Sequence, residues 1–308
     1  MRRHILIVAA LALPFPSLAD AKGIGLEDVV VDGVVSQDGR YRYVALQDDP
    51  NTTLLKIATS GGRVVASRSP GGWLLVPAVA ADATAGGLSA DGRTLVLSTP
   101  FASNPTRTPL RIIDTGKLAT RRAIDLPGVF GVDAISPDGS RIYLIEYLDP
   151  PATTRYRVRS LETATGRLHP DPIVDADEPD EQMTGMALTR ATSPDGRWAY
   201  TLYGRTDGAP FIHALDSQQG VAHCIDLPIA PIDPYLAVRE GLSLSVAGNT
   251  LVAARSGVVV ARVDLIDFIV ESADRTTDSS ATTVAVAGSG AAVLLAGATW
   301  WLRRRRTT

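Results

Sequence analysis

One phrase returns along this chain: a serine, a variable residue, Asp-Gly, then a run of apolar, β-branched and aromatic residues. It reads SQDGRYRYVAL from Ser36, SADGRTLVLST from Ser89, SPDGSRIYLIE from Ser136 and SPDGRWAYTLY from Ser193. A worn copy, SVAGNTLVAAR, starts at Ser245, and the successive serines lie 53, 47, 57 and 52 residues apart. A near-constant period in this range is the mark of stacked supersecondary units, each unable to bury its apolar surface alone. Ser and Asp hold turns by bonding nearby backbone, Gly supplies a backbone angle that other residues resist, and Pro137 and Pro194 preset another. The residues that follow have strand character, so each phrase predicts a hairpin.

A second element recurs at a matching offset: LRIIDTGK at 110–117, VRSLETATGR at 158–167, IHALDSQQG at 212–220 and, more loosely, LLKIATSGGR at 54–63. Each is a strand running into a turn that ends in Gly. The unit is therefore strand, Asp-Gly turn, strand, loop, strand, Gly-ending turn, strand. Four-stranded sheets repeated at this spacing predict an all-β fold, a β-propeller. Five blades are expected, near 28–78, 79–127, 128–184, 185–236 and 237–271, with six or seven as the alternative. The last unit lacks a clear fourth strand, which residues 22–30 would supply and so close the ring.

The repeats resemble YVTN-type units of the broad WD40-like propeller superfamily, in which Ser-Pro-Asp-Gly precedes a strand ending near Tyr-Val-Thr-Asn. Tyr43-Val44-Ala45-Leu46, Tyr143-Leu144-Ile145-Glu146 and Tyr200-Thr201-Leu202-Tyr203 stand at that place. The likeness covers roughly residues 27–265 and is one of fold, shared with bacterial surface propellers of TolB-like and lactonase-like kinds.

The two ends carry a different message. Arg2-Arg3-His4, the apolar run Ile5–Leu13 and Ala19-Asp20-Ala21 have the three parts of a secretory signal, with cleavage expected after Ala21. At the other end, residues 284–302 form a nineteen-residue stretch without a charge, followed by Arg303, Arg304, Arg305 and Arg306. That length matches the hydrocarbon core, Trp300 and Trp301 sit where an aromatic belt belongs, and the arginines follow the positive-inside rule. The expected organisation is a signal peptide (1–21), a propeller ectodomain (22–271), a polar flexible stalk (272–283), a transmembrane helix (284–302) and a cytoplasmic basic tail (303–308). The propeller would lie outside the cell membrane.

Net charge is −3, which disfavours nucleic acid as a partner. The single cysteine, Cys224, leaves no internal disulfide, and its apolar setting reads as an inert thiol. His213, His223 and Cys224 cluster in sequence around the Asp216–Gly220 turn. Zinc needs three or four ligands and strand neighbours point to opposite faces, so polar strand residues are the preferred reading over a metal site. The acidic run at 175–182 lacks the spacing and glycine of a calcium loop and reads as solvated. No Gly-x-Ser-x-Gly elbow, phosphate loop or His-Glu-x-x-His is present, and no cofactor or catalytic residue is expected.

Function on such a scaffold sits in its loops. The Asp-Gly turns lie on one face. The loops between blades, and between second and third strands, gather on the other and carry Phe101, Asn104, Tyr147, Asp149, Arg205, Asp207, Asp233 and Tyr235. Tyr147, Asp149, Arg205, Asp207, Asp233 and Tyr235 are the expected ligand-binding set, since Tyr, Arg and Asp on a shared rim suit recognition. Two functions fit: a binding module for a protein, glycan or peptide at the cell surface, or a tethered lactonase- or hydrolase-type enzyme with its site at the channel mouth.

Overall fold

A computed structural model describes residues 32–48, 50–99, 106–150, 152–180, 182–205, 208–233 and 240–272. The expected signal peptide, all but the first residue of the stalk, the 284–302 segment and the basic tail lie outside the described residues, as do 22–30. Among the described residues no helix is long and apolar enough to cross a membrane.

The described chain forms five antiparallel sheets, consecutive in sequence, each a simple meander. Blade 1 holds β1 (Val34–Val35), β2 (Tyr41–Asp48), β3 (Asn51–Ala58) and β4 (Val64–Arg68). Blade 2 holds β5 (Thr94–Ser98), β6 (Arg107–Asp114) and β7 (Ala119–Pro127). Its innermost place is taken by Gly87-Leu88, joined to β5 by the single bridge Leu88–Leu95 and by Val96 N–H donating to Gly87 O at 2.8 Å. Blade 3 holds β8 (Val129–Ile135), β9 (Arg141–Asp149), β10 (Ala152–Glu162) and β11 (Leu168–Ile173). Blade 4 holds β12 (Met186–Thr192), β13 (Trp198–Gly204), β14 (Phe211–Asp216) and β15 (Val221–Asp226). Blade 5 holds β16 (Leu242–Ala247), β17 (Thr250–Arg255), β18 (Val258–Asp264) and β19 (Val270–Ser272). The fourth strand of the last blade is thus β19, a three-residue strand too short to register as one in sequence.

The core divides among the seams between successive blades. Along β9, Ile142 and Leu144 pack towards blade 2, while Tyr143, Ile145 and Tyr147 pack towards blade 4. Likewise Tyr200 and Leu202 of β13 face blade 5, and Ala199 and Tyr203 face blade 3. Strands covered on both faces need apolar residues at every position, which is why Ile142–Ile145 of β9 runs without polar alternation. In the terminal blades, β3 and β17 alternate between buried and half-buried positions.

The Asp-Gly phrase closes the first hairpin of each of the first four blades in one geometry. In blade 1, Ser36 Oγ donates to Asp38 Oδ1 (2.6 Å), the same oxygen accepts Arg40 N–H (3.0 Å), and Ser36 Oγ accepts Tyr41 N–H (3.0 Å). The sets built on Ser89, Ser136 and Ser193 repeat these bonds. The Gly sits at φ of +68° to +73° in all four, the region that favours glycine. The Ser hydroxyls, then the backbone N–H groups, hold Asp38 and Asp195 below the usual carboxylate range; at Asp138 the Ser140 N–H leads.

The Gly-ending turn is tied to this one. The hydroxyl of Thr163 donates to Gly139 O at 2.9 Å, and those of Thr59 and Thr115 donate to Gly39 O and Gly92 O at 2.5 Å. Ser217 does the same job on Arg197 O at 2.7 Å. A Ser or Thr after the end of the third strand therefore locks the two turns of its blade together. The fifth unit departs from the pattern. Ser245 lies within β16, paired with Val252, and the hairpin turns tightly at Gly248-Asn249. Leu265 stands where the hydroxyl would be, and its N–H alone reaches Asn249 O (2.7 Å).

Candidate functional site

The inner strands of blades 1 to 4 surround a central cavity of about 340 Å³. Its rim is formed by Gln37, Ala90, Ser193, Pro194 and Gly196, residues of the Asp-Gly turns. Those turns are packed against one another: Gln37 Nε2 donates to Pro194 O, Asp91 N–H to Pro137 O (3.0 Å), and Gly196 lies against the Ala90 methyl. The rim is thus a rigid surface of fixed backbone rather than of long side chains.

The opposite end of the channel is filled by a hairpin, residues 77–86, that precedes the inner strand of blade 2. It closes on itself through Val79 N–H to Thr84 O (2.9 Å) and Gly86 N–H to Pro77 O (2.9 Å). It crosses to blade 4, where Ala81 N–H donates to Ala187 O (3.0 Å) and Asp82 N–H to Leu188 O (3.2 Å). Its tip is held by Asp82 Oδ1, which accepts both the N–H and the hydroxyl of Thr84. Gly86 is required here, because a Cβ would stand 2.3 Å from the Val79 side chain. Sequence patterns did not single out this hairpin; its one signal is the Gly86-Gly87 pair before a strand.

Two charged side chains line the cavity deep between blades 3 and 4. Asp133 of β8 is 1% exposed and Arg190 of β12 is 9% exposed. Arg190 Nη2 donates to Asp133 Oδ1, Nη1 to Asp133 O, and Nε to Thr201 Oγ1 at 2.9 Å. Asp133 Oδ2 is buried and has no hydrogen-bond partner. Aligning the repeats on their turn serines shows what sequence reading missed. Asp133 and Arg190 occupy the same place, three residues before Ser136 and Ser193, where blades 1 and 2 have Gly33 and Gly86. The two glycines serve close packing: a Cβ on Gly33 would stand 2.3 Å from Tyr43 O, as one on Gly86 would from the Val79 side chain.

Behind this pair, in the seam between blades 3 and 4, lies His213, 1% exposed, with neither ring nitrogen hydrogen-bonded. Burial pushes its pKa down and keeps the ring neutral, although the Asp133 charge acts in the other direction. His213 lies opposite Cys224 and Ala214 lies opposite His223, so the two histidines point to opposite faces of blade 4. His223 stacks on Trp198 and Phe268, towards blade 5. The conceivable His213–His223–Cys224 metal cluster is therefore not assembled. The acidic run also has a structural member: Asp175 is buried, and its Oδ2 accepts Cys224 N–H at 2.7 Å, clamping blade 3 to blade 4.

The expected loop-face residues are dispersed. Tyr147 is 8% exposed within β9, part of the core towards blade 4 rather than a loop. Asp149 ends β9 and pairs with Arg155, Nε to Oδ2 at 2.6 Å, at the surface. Arg205 follows β13, with its guanidinium 4.1 Å from the Phe211 ring centroid and 4.0 Å from Asp226 Oδ1. Asp233 is exposed in the connection between blades 4 and 5. Asp207 and Tyr235 lie outside the described residues, as do Phe101 and Asn104. The central cavity opens on the other face, among the Asp-Gly turns.

Successive four-stranded meanders arranged around a central channel define the class: this is a β-propeller. No family model and no curated protein matches the chain. Among solved structures it is similar to a functionally unknown protein from Desulfotomaculum acetoxidans, at 17% identity and a TM-score of 0.50, over 79% of this chain and 68% of that one. A putative TolB from Agrobacterium tumefaciens aligns at 16% identity over 80% of each chain, with a TM-score of 0.44. The β-propeller domain of Cps50 (Swd1) from Myceliophteria thermophila aligns at 11% identity over 77% of this chain and 64% of that one, with a TM-score of 0.43. The likeness concerns fold alone.

Proposed function

We propose that this chain is an extracytoplasmic binding module, held at a cell membrane by its 284–302 segment, that presents the propeller to a protein, glycan or peptide ligand. The observation that carries the reading is the preformed concave rim of Asp-Gly turns around the central cavity. Its backbone is fixed turn by turn, so little conformational entropy is lost when a ligand settles on it. The signal-like leader, the uncharged stretch and the four terminal arginines support the location and orientation.

A tethered enzyme of lactonase or hydrolase type is the second reading, and one observation favours it: a buried carboxylate with one unpartnered oxygen, that of Asp133, lies beside the cavity. Arg190 bonds its other oxygen, however, which suits a fixed binding element better than a group that must gain and lose a proton.

The test is capture on cells. The full-length chain is expressed in its native host, lightly crosslinked at the surface, and its adducts are identified by mass spectrometry. Repeated enrichment of one surface component supports the module. No enrichment from a chain shown to be folded overturns it.

A further inference from the structure

We infer that the outer face of blade 1 is a docking surface for a second copy of this chain, packed against it face to face about a two-fold axis. The seams between blades 1 and 2, 2 and 3, 3 and 4, and 4 and 5 each hold a buried apolar cluster, and among the described residues none joins blade 5 to blade 1. Each terminal sheet therefore has one face with no blade against it. The two faces differ in kind. That of blade 5 carries Ser243, Ser245, Thr250, Arg262, Asp264 and Glu271, a polar surface fit for water. That of blade 1 carries Val44 and Leu46 on β2, Leu55 and Ile57 on β3, and Val64 on β4. Leu46 and Val64 are 49% and 50% exposed, and none of these aliphatic side chains belongs to the core shared with blade 2. A stack of repeats needs a polar outer face at each end, and blade 1 lacks one. A contiguous apolar patch in such a place marks an interaction site.

Charge identifies the occupant. Arg42 and Asp48 share the face of Val44 and Leu46, because alternate residues of β2 point the same way. Both are exposed, and neither side chain has a hydrogen-bond or ion-pair partner among the described residues. The patch thus has a positive end and a negative end. A two-fold contact is self-complementary: where one residue meets a second across it, the second also meets the first. An axis crossing β2 at right angles near Ala45 sets Arg42 of one copy opposite Asp48 of the other, and Val44 opposite Leu46, each pair twice over. The two sheets then stack as in a sandwich, about 10 Å apart, with their strands antiparallel. A four-stranded face with strands of this length covers about 400–500 Å² per copy, so the pair approaches the ~1,000 Å² of a specific interface. That size suits a dimer that dissociates on dilution. The contact uses a lateral face, not the Asp-Gly turns, so it stands apart from the proposed ligand site.

The experiment follows the purified full-length chain in detergent by sedimentation velocity, from about 1 to 100 μM, the range in which a contact of this size associates. A monomer–dimer equilibrium is expected. Leu46→Glu puts a charge into the apolar patch at a half-exposed position and should abolish the dimer while the monomer stays folded. Arg42→Asp and Asp48→Arg each bring like charges together twice and should weaken the dimer by about 10-fold, and the double variant Arg42→Asp/Asp48→Arg should restore it. Should Leu46→Glu not fold, the exposed charge pair decides alone. A dimer indifferent to Leu46→Glu, or single reversals that the double variant does not rescue, overturns the inference. So does a chain that stays monomeric throughout, which would leave the face to the segment before residue 32 or to a different protein.

Discussion

Thr163 illustrates how much of this fold is set by single hydroxyls. It is buried, and its Oγ1 donates to both Gly139 O (2.9 Å) and Ser140 O (3.1 Å), tying the outer turn of blade 3 to its Asp-Gly turn. Thr163→Val keeps the shape and removes the donor, so it should cost about 1–3 kcal/mol in denaturant unfolding. His213 sets a pH dependence. Its folded pKa is lowered by burial, while the unfolded chain takes up a proton near pH 6.5. Its contribution to stability is therefore complete above about pH 6.5 and is lost as pH falls through the lower folded value. His213→Leu should flatten the stability profile over that acid window, and a slope unchanged from the parent would show the charge change lies elsewhere. The substitution also removes two unpartnered ring nitrogens, so stability at neutral pH should not fall by the full cost of a core substitution. At this scale the sequence was legible where residues repeat: the Ser and Asp of each turn were identified with their roles. Asp133 and Arg190 were not, because each finds its charged partner in a different blade; His213 was read only as a polar strand residue, since its burial depends on the neighbouring blade.

At the scale of elements, blade boundaries could be read because turn chemistry recurs and strands end where it begins. Sheets at 129–173 and 186–226 fall inside the units expected at 128–184 and 185–236. What failed to show were elements without a repeat to announce them. β19 is three residues long, and among the described residues the 77–86 hairpin has no counterpart in another blade. Burial on both faces explains which strands matter most. Leu144 of β9 is wholly buried in the seam with blade 2, whereas Leu46 of β2 is 49% exposed. Leu144→Ala should destabilise by about 2–5 kcal/mol, and Leu46→Ala by less than about 0.5 kcal/mol. Equal losses in a denaturant titration would contradict the seam description.

At the scale of the molecule, the repeats led to the propeller but did not point to the central cavity. Loop composition drew attention to the face carrying Asp149, Arg205 and Asp233. Packing decided otherwise for the channel: a hairpin from blade 2 fills that end, and the cavity opens among the Asp-Gly turns at the other. Neither effect is visible in a single repeat, since both depend on which residues four separate blades bring to the axis. The central claim is that the Asp-Gly face is the binding face, and site-specific photocrosslinking tests it directly. A photoreactive residue is introduced one position at a time into the full-length chain in its native cells, at Gln37 or Pro194 on the Asp-Gly face and at Asp149 or Asp233 on the loop face. The account predicts one recurrent adduct from Gln37 and Pro194 and none from Asp149 or Asp233. Adducts confined to Asp149 and Asp233 would contradict it.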